Sequence, residues 1–555
     1  MTILSHVPSR LALLLALGTA LPALAASPPK PDPLADALKA DITFLSADAM
    51  EGRGLGQRGH EIAANYMAAE FTRLGLKPAG TDGFFQRVNF AESRFTSDKE
   101  TATFARDGKT VVWTNGVELS LSPGTATGTD TVSAPLVFAG YGLKDKTLGI
   151  DDFAGLDVAG KFVVVLSGYP PGMNSEIGAH LARTSKPTAA LANGALGIIQ
   201  VRTLQEAARL PWDKSVTRAR QPRRTLLGPD GKPLGDGAGL AIRAGVDDQA
   251  AALLFAGAPM DFAAVRAAAA KGPVKGFQLT GEMTFTRSQE VKKISSPNVI
   301  AMLPGSSKTI GSQIVLISAH LDHIGTKADA KPGTDNIYNG AMDNASGSAM
   351  LLAAARALAT SKTPPKRSVL FLSTTAEESG LLGADYFSRV PTVPISSVVA
   401  AVNIDMPILT CNFGDIVAFG ADRSTIAKAV GIAAKKEGLA VSPDPQPEEA
   451  VFTRSDHYPL VRAGVPAVFL KTGWTDAKGG MACKDAERAF RLNSYHELSD
   501  QIDLPFDWSA AAKFARLNTG IIRSIADAPQ APRWYAGDYF GNSFAPAADK
   551  AKPAP

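Results

Sequence analysis

From residue 298 onward, short β-branched runs alternate with helical stretches, and this alternation restricts the fold more than any other feature of the chain. Residues 314–318, 369–373, 398–404 and 467–470 read as strands, and residues 349–358, 381–389 and 425–436 read as the helices between them. Such alternation predicts an α/β fold with a mostly parallel central sheet flanked by helices. Ligands of these sheets collect beyond the carboxyl ends of the strands, which is where His320, Glu377 and Asp405 fall.

At 555 residues the chain exceeds one ordinary core, so more than one domain is expected. Helical spacing over residues 35–45 is broken by Glu51-Gly52-Arg53-Gly54, then returns over residues 60–74 and stops at Gly75 in a C-cap position. Between residues 130 and 290 the texture changes. Short apolar runs such as Phe162-Val163-Val164-Val165-Leu166 alternate with Gly, Pro and Asp turns, around a small-residue helix at residues 189–196. The expected organisation is therefore a first part of the main domain at 35–129, an inserted β-rich domain at 130–290, and the catalytic part at 291–530. The tail at 545–555 is rich in Ala, Lys and Pro and reads as disordered.

Arg10, an apolar stretch over residues 11–24 and the small-residue site Ala23-Leu24-Ala25 form a secretory signal over residues 1–25, cleaved after Ala25. This predicts a periplasmic or secreted protein with no transmembrane anchor in the mature chain. The formal charge of +4 is small and Lys and Arg are scattered, so nucleic acid is excluded as a partner. Cys411 and Cys483 are the only cysteines, which excludes a cysteine-based metal site. They form either one disulfide, permitted by an oxidising compartment, or two separate buried thiols.

The chemistry sits in an ordered series of histidines and carboxylates. In His320-Leu321-Asp322-His323, residues two apart on an extended strand share a face, so the Asp322 carboxylate can hydrogen-bond the far nitrogen of the His320 ring and fix its tautomer. A satisfied polar cluster would look the same. Asp343 stands in a tight turn before a small-residue helix, where it can give one oxygen to each of two ions or cap the helix. The adjacent pair Glu377 and Glu378 repel unless cations lie nearby, so one can ligate while the other serves as a base; a solvated helix start is the alternative. Asp405 ends an apolar strand and needs a partner, for which zinc is suited. His496 follows Tyr495, whose phenol can donate to a developing oxyanion or can pack in the core. Two histidines and several carboxylates suit zinc, which accepts imidazole nitrogen and carboxylate oxygen.

In order, HLDH, YNGAMDNASG, AEESG, VNIDM and SYHELSD resemble the motifs of the co-catalytic zinc exopeptidases of the MH clan. That family includes secreted bacterial leucine aminopeptidases, glutamate carboxypeptidase and the transferrin receptor. The segment at 130–290 resembles a protease-associated (PA) domain, through Ala159 to Val165 and Gly194 to Gly197. The resemblance implies two Zn2+ ions, one held by His320 and Asp405, the other by Glu378 and His496, with Asp343 bridging. It further implies that Glu377 is the general base, that Asp322 orients His320, that Tyr495 stabilises the oxyanion, and that the Asp343–Asn344 peptide bond is cis. Ser455-Asp456-His457 matches a segment near the metals, with either a direct substrate role or a supporting one. The implied activity is an aminopeptidase acting on peptides with a free N-terminus. Alternatives are a carboxypeptidase of the same family, a glutaminyl cyclase-like transferase with one zinc, and a non-catalytic ectodomain. The long stretch between His320 and Asp343 reads as a loop at the site mouth.

Overall fold

The computed structural model describes residues 32–553, so the signal expected at residues 1–25 lies outside the described residues. The central sheet has four parallel strands in the order Ser368–Thr374, Ile314–His320, Val398–Asn403 and Ala467–Thr472. Antiparallel strands close both sides: the end of the long strand Phe277–Leu303 beside Ser368–Thr374, and Asp415–Phe419 beside Ala467–Thr472. Along the strands, successive side chains enter different cores. Val315, Ile317, Val369 and Phe371 face one layer of helices, whereas Ile314, Leu316, Leu370 and Leu372 face the other. Burial on both faces explains why these runs are continuously apolar. Each such side chain contributes about 1.5–3 kcal/mol by leaving water.

Helices Pro33–Leu45, Arg58–Arg73, Ser346–Ala359, Ile426–Lys436 and Trp508–Asp527 supply the first layer. Leu382–Arg389, His457–Arg462 and Tyr539–Phe544 form the second. Cys411 and Cys483 are disulfide-bonded. Among the described residues no helix is long and apolar enough to cross a membrane.

A second hydrophobic core lies outside the central sheet. Its parallel strands Gly128–Phe138, Phe162–Leu166, Gly197–Val201 and Ile242–Val246 carry helices Asp248–Phe255 and Phe262–Ala269. This core takes in Ala102, Phe104, Trp113, Leu119 and Leu121, so the second unit begins near Thr101 rather than at residue 130. The reason is pairing: Thr101–Arg106 lies against the same long strand, Phe277–Leu303, that also pairs with Gly128–Phe138. That strand then continues into the central sheet.

The tail departs from the expected disorder. Ala551 is buried and pairs with the 534–536 segment, its N–H donating to the Trp534 carbonyl and its carbonyl accepting from the Ala536 N–H, at 2.8 Å each. The Lys550 ammonium donates to the Ala548 carbonyl at 3.0 Å. Backbone pairing holds a segment whose composition supplies few apolar anchors.

Candidate metal centre

His320 is the last residue of the strand Ile314–His320, and its Nε2 lies 3.3 Å from both Asp343 Oδ1 and Asp405 Oδ1. The other oxygen of Asp343 lies 3.3 Å from His496 Nε2, which is also 3.1 Å from Glu378 Oε2. Asp343 therefore stands between two histidine–carboxylate groups drawn from distant parts of the chain. The Asp343–Asn344 peptide bond is cis, as the motif implies.

The backbone around Asp343 is fixed from both directions. Asp500 accepts the N–H groups of Met342 and Asp343 at 2.8 and 2.9 Å. The Asn344 side chain donates to the Ile404 carbonyl and accepts from the N–H of Met406, tying this turn to the Asp405 loop. Gly340 takes a left-handed conformation (φ 59°), and a Cβ there would run into the Asp343 carbonyl and the His323 ring, so only glycine fits. Beneath both loops the fully buried Arg53 donates to the carbonyls of Leu45, Leu321, Asn339 and Gly340 at 2.5, 2.8, 2.7 and 2.9 Å. Burial lowers this guanidinium to about 10 against the opposing pull of Asp500, Asp343, Asp322 and Glu378. The sequence marked Arg53 as part of a helix break and of a segment resembling the family's N-terminal element, with no role of its own at the metal centre.

Asp322 does not meet His320 as expected. The carbonyl oxygen of Asp322 faces His320 Nδ1 at 3.1 Å, while its carboxylate accepts the backbone N–H groups of Glu377 and Glu378 at 3.1 and 3.4 Å. The strand stops at His320, so the rule that residues two apart share a face no longer applies to Asp322. Its carboxylate instead shapes the turn that presents the two glutamates.

Glu377 and Glu378 diverge from that turn. Glu378 receives His323 Nδ1 at 2.7 Å, whereas the Glu377 carboxyl has no side-chain partner among the described residues. Desolvation raises Glu377 well above the usual carboxylate range, with Asp405, Glu378 and Asp456 pushing the same way and His320 opposing. Tyr495 stacks on His496, ring centroids 3.9 Å apart, and both border a small cavity of about 80 Å3 with Met406, Val451 and Phe469. In the Ser455-Asp456-His457 segment, Ser455 donates to Asp405 Oδ2 at 2.5 Å and accepts from Asn403 Nδ2 at 2.7 Å. Asn403 Oδ1 in turn accepts from Ser318 Oγ at 2.6 Å.

The donor set suits divalent cations. His320, Asp343 and Asp405 form one cluster of ligand atoms within 4.8 Å of one another, and His323, Asp343 and Glu378 form another. The buried Nε2 of His323 has no hydrogen-bond partner, and so much buried negative charge calls for cations beyond Arg53 and Lys471. His323 is the residue that sequence reasoning left without a role, although the fourth position of HLDH was its signal.

The model of peptidase family M28 matches residues 298–522. Among solved structures, an aminopeptidase from Aneurinibacillus sp. strain AM-1 is 19% identical, covering 91% of this chain and 97% of its own, with a TM-score of 0.48. A zinc aminopeptidase from Bacillus subtilis is 18% identical over 90% of this chain and 96% of its own, with a TM-score of 0.41. A glutaminyl cyclase from Porphyromonas gingivalis is 20% identical over 41% of this chain and 78% of its own, with a TM-score of 0.31. Residues 298–522, the stretch that the model of peptidase family M28 matches, contain every candidate ligand described above.

Proposed function

We propose that the protein is a secreted or periplasmic aminopeptidase that holds two zinc ions and removes N-terminal residues from peptides. The observation that carries this reading is the position of Asp343, whose two carboxylate oxygens face His320 and His496 respectively, each 3.3 Å away. In this reading His320 and Asp405 would hold one ion, Glu378 and His496 would hold the other, and Asp343 would serve both. Bound zinc supplies an acidified water and polarises a carbonyl oxygen.

The chain's own groups do the rest. Glu377, free of side-chain partners and raised by desolvation, takes the proton of the attacking water and returns it to the leaving amine. Tyr495, beside His496, donates its phenol to the oxygen that gains charge. Ser455 holds Asp405 in place, and His323 holds Glu378. The cavity of about 80 Å3 at these residues is bordered by Met406, Val451 and Phe469 and by the cationic Arg454, Lys471 and Arg491. The disulfide supports an oxidising compartment and agrees with the signal-like residues 1–25. The second unit, which resembles a PA domain in sequence, borders the turn that follows Glu378.

Glu377→Ala tests the assignment. Its metal content, measured by elemental analysis, is expected to stay that of the unsubstituted chain while hydrolysis of aminoacyl-nitroanilides falls by roughly 100- to 10,000-fold. Undiminished hydrolysis would remove Glu377 from the mechanism.

A further inference from the structure

Between the second unit and the turn after Glu378 lies a cavity of about 460 Å3 whose wall carries Arg183, Arg223, Arg224, Arg243 and Arg462. Its two carboxylates are already committed. Asp236 accepts both nitrogens of Arg462 at 2.8 and 2.6 Å, and Asp385 accepts Arg389 at 3.0 and 2.9 Å. Arg224 pairs with Glu92 at 3.1 Å. Among the described residues, no carboxylate comes within 4.0 Å of Arg183, Arg223 or Arg243.

Arg223 is half-buried, and among the described residues the one hydrogen bond of its side chain goes to the Pro123 carbonyl at 3.5 Å, the outer limit of such a bond. Burial lowers it to about 10, and the positive charges of Arg243 and Arg287 press in the same direction. Arg243 reaches the carbonyls of Asp236 and Gly237, but its buried Nε has no partner. Arg223 and Arg243 are half-buried with no carboxylate paired to them, an arrangement that a bound anion would complete.

A second hollow of about 520 Å3 shares Arg223, Arg224 and Ser379 with the first and has Glu378 in its wall. Arg224 Nη1 donates to Ser379 Oγ at 3.3 Å, so the arginine-lined space begins one residue from a candidate ligand.

We propose that this cavity is a carboxylate-binding subsite, built by the second unit through Arg183, Arg223 and Arg243, for the part of the peptide that leaves after cleavage. The group recognised is a carboxylate, either the free C-terminus or an acidic side chain downstream of the cut bond. The inference rests on the peptidase reading above and adds to it a substrate class: short peptides bearing negative charge on the leaving-group side.

The test titrates the full-length, zinc-loaded Glu377→Ala chain calorimetrically with leucyl-alanyl-glutamate, its C-terminal amide, and the glutamine counterpart of each, with nothing turned over. Peptides with a carboxylate are expected to bind about tenfold or more tightly than the doubly neutral one. The amide and glutamine arms tell which carboxylate is read. Adding Arg223→Gln should bring that ratio close to one. Arg183→Gln, at the exposed rim, should lower it by a smaller factor and stands in if the first variant does not fold. Equal affinities for charged and neutral peptides in the parent chain, or a ratio undiminished by either arginine change, would overturn the proposal. A preserved preference in a parent enzyme that cuts none of these peptides would instead overturn the peptidase reading and leave the subsite standing.

Discussion

Arg53 and Arg223 are the same side chain in opposite circumstances. Arg53 is fully buried beneath the metal centre and satisfied by four carbonyl oxygens, with the carboxylates of Asp500 and Asp343 close by. Arg223, on the wall of the arginine-lined cavity, has one long contact and two other guanidiniums as neighbours. The first is consumed by the fold: three of its four acceptors, Leu321, Asn339 and Gly340, lie in the loops beside the metal centre, and the fourth, Leu45, ends a helix. The second has one donor at the outer limit of a hydrogen bond and lines an open cavity. Comparing them separates an arginine that builds a site from one left over for whatever enters it.

Arg53→Ala should give the largest stability effect. Four buried carbonyls lose their donor, so the free energy of unfolding in urea should drop by about 3 kcal/mol or more, with metal content falling as the two loops loosen. Arg53→Lys should rescue little, because an ammonium cannot reproduce the fork that reaches both loops. Full retention of stability in Arg53→Ala would dissolve the contrast with Arg223.

Ser455→Ala comes next and sharpens the picture on the metal side. Loss of the hydroxyl that donates to Asp405 Oδ2 should weaken metal binding roughly 10- to 100-fold in competition with a chelator, while the fold melts nearly as before. An unchanged affinity would mean that Asp405 is held without it.

The smallest stability effect belongs to Arg223→Gln. Since Arg223 closes no loop and is crowded by like charge, unfolding free energy should change by no more than about 0.5 kcal/mol, or rise. A loss comparable with that of Arg53→Ala would show the two arginines to be equivalent and would count against an open anion site.

The central sheet was readable because Val315 to Ile317, Val369 to Leu372 and Ala400 to Val402 are apolar on both faces, a pattern that only a covered parallel sheet produces. The convergence of His320, Asp343, Glu378, Asp405 and His496 was readable as a resemblance, while position at a strand end accounts for His320 and Asp405 and not for Asp343 or His496. What escaped was set by local turns or by distant partners. Asp322 lies just past the strand end, where side-chain direction follows the turn rather than the pleat. His323 gains meaning from Glu378, and Arg53 chiefly from the distant carbonyls of Leu321, Asn339 and Gly340. Ala102, Phe104 and Trp113 alternate as any strand residues would, and nothing local says which of two cores they enter. The tail was misjudged because composition counts apolar anchors and misses the backbone pairing at Ala551.

The long strand Phe277–Leu303 has a consequence for gene engineering. Its first half is a wall of the second unit and its last residues are a row of the central sheet, with Val299–Leu303 paired to Ser373–Val369. No cut through that ribbon yields two self-sufficient pieces: excising residues 130–290 leaves Thr101–Arg106 without a neighbour on that strand. A deletion that spares the catalytic half must remove the whole of residues 101–287 and splice into the strand where Phe95 faces Gln289.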